Sequence, residues 1–192
     1  MSPLHLSDLD PQRAADELTR SVYARAQRDA RHLGMILTWP TGTDRKSPAG
    51  TVLAQSKLHK VARACVEWAT LGKGKPEDVA VSLRELRAAL DGVEPGEASG
   101  REPDLTTVAG LTLVAAGARL ALAEGRTVDA IEVATLASLD DRSIRATVNA
   151  GKLEPVAGGG RPMRFAPDVA RQYLYARSVP GFAAAPPRSG SV

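Results

Sequence analysis

The feature that most constrains the fold is a run of short, closely spaced helical patterns in the last third of the chain, residues 127–177. Thr127 is expected to cap a helix that continues to about Ala137, and Asp140 to cap a second helix that continues to Asn149. Two short helices joined by a turn of three residues form a helix-turn-helix.

Apolar residues of this helix pair recur at helical spacing, which predicts one buried side for each helix. Leu139 is expected to fill the turn, and Ile144 and Val148 to bury one side of the second helix. The opposite side then carries, at positions i, i+3, i+4 and i+7, an exposed stripe that consists of Arg142, Arg145, Ala146 and Asn149.

A β-hairpin is predicted after the helix pair. Residues 152–157 and 162–165 have the pattern of two strands, and three glycines at 158–160 form the turn between them. Arg161 and Arg164 lie on this hairpin. A closing helix is expected next, with its start and buried side supplied by Pro167, Asp168, Val169, Ala170, Tyr173 and Leu174.

The rest of the chain predicts a helical bundle and its connections. Apolar periodicity and capping residues indicate helices at residues 10–34, 51–71 and 76–90, with a loop at 38–50. The expected fold is mainly α, an N-terminal helical bundle plus a C-terminal winged helix-turn-helix with a short β-hairpin. Its segments are a bundle at 10–90 for oligomerisation or partner binding, a linker at 91–103, a connecting helix at 104–126, the winged module at 127–177 and a disordered tail at 178–192.

Composition and charge indicate where the protein is expected to be located more than what it does. A formal charge of +3 and a pI near 9.2 are too mild to indicate a polyanionic partner by themselves. The single cysteine, Cys65, has apolar neighbours and is expected to be a buried thiol in a reducing cytoplasm. The N-terminus lacks the pattern of a secretory signal, and the longest apolar stretch, residues 105–118, is shorter than the roughly 20 residues that span a bilayer. We therefore expect a cytoplasmic protein with no membrane partner.

No residue pattern indicates catalysis, a cofactor or a metal. His5, His32 and His59 are far apart and lack companions at ligand spacing, so packed or solvated side chains are the expectation. The glycines at 158–160 neither open a helix after a strand nor precede Lys-Ser/Thr, which argues against a nucleotide-binding loop. Trp39 and Trp68 are expected to be core or loop anchors.

The segment EVATLASLDDRSI, followed by AGKLEPV and GGRPMRF, resembles the MerR and excisionase-like winged helix-turn-helix superfamily over about a quarter of the chain. The resemblance implies that the second helix enters the major groove of double-stranded DNA and that the hairpin contacts the flanking backbone or minor groove. Arginine suits guanine, asparagine suits adenine, and alanine permits close approach to the bases. The expected DNA-binding residues are Arg142, Ser143, Arg145, Ala146, Asn149, Lys152, Arg161 and Arg164.

The chain departs from that superfamily at the turn and at the start of the second helix. Ser138 stands where glycine is usual, and Asp140 and Asp141 add carboxylates close to the expected phosphate backbone. The charge nevertheless reverses at this point: residues 127–141 hold four acidic and no basic residues, whereas residues 142–177 hold seven basic and two acidic ones. This distribution predicts DNA binding that weakens steeply with salt.

The sequence leaves three functions open. The first is a sequence-specific DNA-binding protein, a transcriptional regulator acting as a homodimer, whose bundle is available to a protein partner. The second is an architectural, packaging or recombination accessory factor of the excisionase or terminase-small-subunit kind. The third is a protein-interaction adaptor whose winged module does not bind DNA.

Overall fold

The computed structural model describes residues 4–32, 56–92, 103–157 and 162–183, and this part of the chain is mainly helical with one small two-stranded antiparallel sheet. The predicted loop at 38–50, with Trp39, lies outside the described residues. A 3-10 turn (Leu6–Asp8) comes first. The helices and strands are α1 (Pro11–His32), α2 (Lys57–Leu71), α3 (Pro76–Asp91), α4 (Val108–Ala123), β1 (Val128–Asp129), α5 (Ala130–Leu136), α6 (Asp141–Asn149), β2 (Arg164–Phe165) and α7 (Pro167–Ala176).

The N-terminal helices pack on one another through the apolar sides that their periodicity predicts. Ala15 and Leu18 of α1 meet Cys65 of α2 and Leu86 of α3 in one buried cluster. Burial without a charged partner raises the pKa of the Cys65 thiol to about 12, so this cysteine is the inert thiol that its neighbours predict. The residues from 51 to 55, where α2 was expected to begin, lie outside the described part of the chain.

Helix α4 is the centre of the molecule. It packs against α1, α2 and α3 on one side and against α5 and α7 on the other. Alanine and glycine at many of its positions allow neighbouring helices to approach closely. The Trp68 indole N–H of α2 donates to the Ala116 carbonyl of α4 at 3.3 Å, so this tryptophan is a core anchor.

A buried guanidinium ties the C-terminal segment to this centre. Arg119 of α4 is only 4 % exposed; its Nε donates to the Ala69 carbonyl at 2.8 Å and its Nη2 to the Pro180 carbonyl at 2.7 Å. The same guanidinium lies 4.6 Å from the centre of the Phe182 ring. The sequence predicts a disordered tail from residue 178, whereas residues 178–183 lie on the body of the protein because Arg119 and the apolar core hold them.

The two-stranded sheet differs from the predicted hairpin. β2 pairs with β1, with Val128 opposite Phe165 and Asp129 opposite Arg164, rather than with residues 152–157. Residues 152–157 form no strand and reach β2 through one hydrogen bond, from the Val156 amide to the Arg164 carbonyl at 2.9 Å. Pro155 lacks the amide that a ladder needs, and the other edge of β2 pairs with β1. The predicted turn at 158–160 lies outside the described residues.

Gly110, near the start of α4, lies very close to the backbone of Asp104. A Cβ at this position would lie 1.9 Å from the carbonyl oxygen of Asp104, which belongs to the backbone and cannot move aside cheaply. We expect Gly110→Ala to lower the free energy of unfolding by about 1–3 kcal/mol.

Gly117 is the matched control in the same helix, because a Cβ there meets nothing within 4 Å. Gly117→Ala is expected to raise stability by up to about 1 kcal/mol through helix propensity. Urea titration followed by circular dichroism measures both variants. Equal effects of the two substitutions would contradict the steric explanation.

Candidate nucleic-acid interface

Helix α5 begins with a reciprocal cap at Asp129. The Asp129 carboxylate accepts the Glu132 amide at 2.9 Å, and the Glu132 carboxylate accepts the Asp129 amide at 2.7 Å. The prediction that Thr127 caps this helix is therefore wrong, because Val128 and Asp129 belong to β1 and delay the helix. The capping-box spacing of Asp129 and Glu132 was the available signal.

The turn after α5 satisfies the last carbonyls of the helix in a Schellman arrangement. The Leu139 amide donates to the Ala134 carbonyl at 2.9 Å and the Ser138 amide to the Thr135 carbonyl at 3.2 Å. This geometry requires a left-handed residue, and Ser138 adopts it with φ of 53°. Helix α6 ends in the same way with Gly151, φ 68°. The serine thus occupies a position that glycine fills at the other helix.

The Ser138 hydroxyl has a partner that accounts for the serine. Its Oγ accepts the Ser7 amide of the N-terminal 3-10 turn at 3.0 Å. Leu6 in that turn is 4 % exposed and belongs to the same apolar cluster as Ile144 of α6. The N-terminal turn therefore fixes the position of the α5–α6 turn, a contact that no local sequence pattern indicates.

Helix α6 starts at a well-formed cap and presents the predicted stripe. The Asp140 carboxylate accepts the Ser143 amide at 2.6 Å, and hydrogen bonds to Ser143 and the nearby charges of Arg142 and His5 lower the pKa of this carboxyl group. Ile144 is fully buried and holds α6 on the core. All members of the exposed stripe are solvent-accessible: Arg142, Arg145, Ala146 and Asn149.

Two of the predicted DNA-binding arginines lie beside carboxylates. Arg145 Nε is 2.7 Å from Asp141 Oδ2, one helical turn earlier. Arg164 lies opposite Asp129 across the sheet, and its positive charge opposes the rise in the Glu132 pKa that burial causes. The ion pair reduces the net positive charge that Arg145 presents, and the acidic residues near Arg164 lower the electrostatic potential there.

The three remaining predicted site residues differ in their surroundings. Lys152 is exposed just after α6, and no ion pair is found for it in the described ranges. Ser143 is half-buried, and its hydrogen bonds to Asp140 make it part of the helix cap. Arg161 lies outside the described residues. Of the predicted cationic residues that the structure describes, Arg142 and Lys152 have neither an ion pair nor a carboxylate opposite them in the sheet.

The described residues form neither a cluster of metal ligands nor a membrane-spanning helix. His59 is buried between α1 and α2, with its ring nitrogens 3.2 Å from Gln12 Nε2 and 3.4 Å from Thr19 Oγ1, so it is a packed histidine. Within the described ranges no three metal-ligating side chains come together. No helix in those ranges has both the length and the hydropathy needed to cross a membrane.

Comparisons with protein-family models, with curated proteins and with solved structures found no match to this chain. A proposal of function therefore rests on the geometry of α5, α6 and the residues around them.

The Ser138 contact predicts different results for two substitutions. Ser138→Ala keeps the left-handed strain and loses the bond to Ser7, so we expect a loss of about 1 kcal/mol in unfolding free energy. Ser138→Gly also loses the bond but relieves a strain of about 1 kcal/mol, so its stability should stay near that of the parent. Hydrogen exchange of the Ser7 amide should accelerate in both variants. A Ser7 amide that remains protected would show that the hydroxyl does not hold the turn.

The lowered pKa of Asp140 predicts a pH effect on the α6 cap. Because the folded pKa lies below the unfolded value of about 3.9, the stabilisation by ionised Asp140 is present above that pH and is lost as pH falls through the folded pKa. Ser at this position caps without titrating. Unfolding of the parent and of Asp140→Ser, compared at pH 6 and pH 3, should show the parent losing stability relative to the variant. A constant difference between the two would contradict the assignment.

Proposed function

We propose that this chain is a sequence-specific double-stranded DNA-binding protein that acts as a transcriptional regulator, with α5, α6 and the segment around β2 serving as a winged helix-turn-helix. The observation that carries the proposal is the outward-facing stripe on α6. Two arginines, one asparagine and one alanine share that face, while Ile144 anchors the opposite face in the core.

The chemistry of the stripe suits base edges in the major groove. Guanidinium groups donate paired hydrogen bonds to guanine, and the Asn149 amide has the donor and acceptor that adenine requires. Ala146, lying between them, leaves room for α6 to approach the bases. The hydrogen bonds at Asp140 and Ser138 restrain the start of α6, and a restrained face loses less entropy on binding.

The charge pattern supports a nucleic-acid partner of moderate affinity. Arg142 and Lys152 have no ion pair in the described ranges, whereas Arg145 must exchange Asp141 for a base. One such module has a small contact surface, so two copies on a repeated site are expected to supply operator-level affinity. The helices α1–α3 are then available for self-association or for a protein partner.

The ion pair between Arg145 and Asp141 also favours a second candidate function. If this pair persists, the start of α6 is nearly neutral, and the module serves as a protein-interaction adaptor. The two functions differ in salt dependence, because only DNA binding releases condensed counterions. An architectural or packaging factor would bind DNA with the same salt dependence but without selecting a sequence.

Arg145 provides the specificity test. Selection from a random DNA pool first yields a preferred site, for which an inverted repeat is the expected form. Arg145→Ala should then lower the discrimination between that site and a mixed-sequence duplex by about 1–3 kcal/mol. Arg84→Ala is the control, because Arg84 is exposed on α3 with no ion pair in the described residues. Unselective recovery from the pool would favour the architectural function.

A substitution of Asp141 tests the same ion pair through its acidic member. Asp141→Asn removes a carboxylate beside the expected phosphate backbone and releases Arg145, so we expect DNA affinity to increase several-fold at low salt. Fluorescence anisotropy with a labelled duplex measures the change. Unchanged affinity in Asp141→Asn together with no effect of Arg145→Ala would indicate that this face of α6 does not contact DNA.

A further inference from the structure

An open cleft of about 820 Å³ lies between α6 and α7, next to the exposed stripe. Ala146 belongs to both the stripe and the cleft, and Thr147 and Ala150 continue the cleft along the flank of α6. The cleft is thus on the side of α6 away from the Arg145–Asp141 pair. The charged, polar and aromatic residues that line it are Lys152, Glu154, Gln172, Tyr173 and Arg177.

The two cations of this cleft are available to a ligand. Lys152 and Arg177 are exposed, and no carboxylate lies within ion-pair distance of either in the described ranges. Arg145, in contrast, is paired with Asp141. Glu154 also lines the cleft, so its charge is mixed, with two bases against one acid. An anionic ligand would be held by the cations and kept away from Glu154.

Arg177 is held in place without a carboxylate. Its guanidinium lies over the Tyr173 ring, 5.0 Å from the ring centre, and its amide donates to the Tyr173 carbonyl at 3.3 Å. When a guanidinium stacks on an aromatic ring, one of its faces is covered. Its N–H groups, which point outward from the edge, remain available to an acceptor. The exposed Gln172 side chain adds a neutral donor in the same cleft.

A helix seated in the major groove has a sugar-phosphate strand beside each flank. The helix with its side chains is about 10–12 Å across, and the groove is about 12 Å wide. A strand that borders α6 on the Ala146 side would therefore pass over the cleft. Phosphate oxygens are acceptors that arginine binds with paired hydrogen bonds.

We propose that this cleft binds backbone phosphates of the DNA strand that flanks α6, with Arg177 and Lys152 as cationic ligands and Gln172 as a neutral donor. The inference rests on the proposed DNA-binding function and extends it to α7. Neither the helical periodicity of α7 nor the resemblance noted above assigns such a role to Arg177. The contact is to the backbone, so it contributes to affinity for every sequence alike.

The test is the salt dependence of binding to a mixed-sequence duplex of 30 base pairs. Arg177→Ala should weaken binding about tenfold at low salt and reduce the slope of log K against log salt by about 0.9, the value for one phosphate contact. Arg177→Lys keeps the charge and should keep the slope. Arg84→Ala, the surface control on α3, should change neither quantity. A structural role alone would shift the thermal midpoint and leave the slope unaltered.

The outcomes separate this inference from the proposed function. If the parent binds the duplex and Arg177→Ala has the parental slope, the cleft does not bind phosphate, whereas DNA binding by α6 stands. If Arg177→Lys loses the slope as fully as Arg177→Ala, the effect is not electrostatic and the phosphate assignment is refuted. If the parent shows no salt-dependent binding at low salt, both the proposed function and this inference fail.

Discussion

The burial of α4 is the constraint on which the rest of this structure depends. This helix has apolar or small residues on nearly all sides, so it is stable only when other helices cover it on all sides. The N-terminal helices cover one side, and α5 with α7 covers the other. The buried guanidinium of Arg119 then links α2, α4 and the C-terminal segment through backbone carbonyls. Desolvation lowers the pKa of Arg119 to about 10, which still leaves it charged at neutral pH.

The position of α6 follows from that arrangement. Ile144 and Leu136 belong to the apolar cluster that also contains Trp68 of α2 and Ala115 of α4, so the helix pair is continuous with the core of the protein. The hydrogen bond from Ser7 to Ser138 adds a further contact between the N-terminal turn and the helix pair. An orientation of α6 fixed from several directions suits recognition of a rigid partner, because less conformational entropy is lost on binding.

The distribution of counter-charges separates the basic residues of this region into two groups. Arg145 forms an ion pair with Asp141, and Arg164 lies opposite Asp129 across the sheet without an ion pair in the described ranges. Lys152 and Arg177, which have no ion pair in the described ranges, line the cleft between α6 and α7 on one flank of α6. In the proposed complex, phosphate contacts therefore come mainly from this flank, while the stripe supplies base recognition.

Sequence alone determined the parts of this protein whose stabilising contacts are local. The helices, the Asp140 cap, the Gly151 end and the outward face of α6 depend on residues within about one turn of each other, and periodicity therefore predicted them. Tertiary structure decided the partner of β2, the attachment of residues 178–183, the role of Ser138 and the cations left without partners. The Asp141–Arg145 pair is different, because its i,i+4 spacing is visible in the sequence. Strand pairing, the buried guanidinium and the bond between Ser7 and Ser138 join residues that are distant in the chain. Short-range patterns contain no information about these distant contacts, because they arise only when the chain packs.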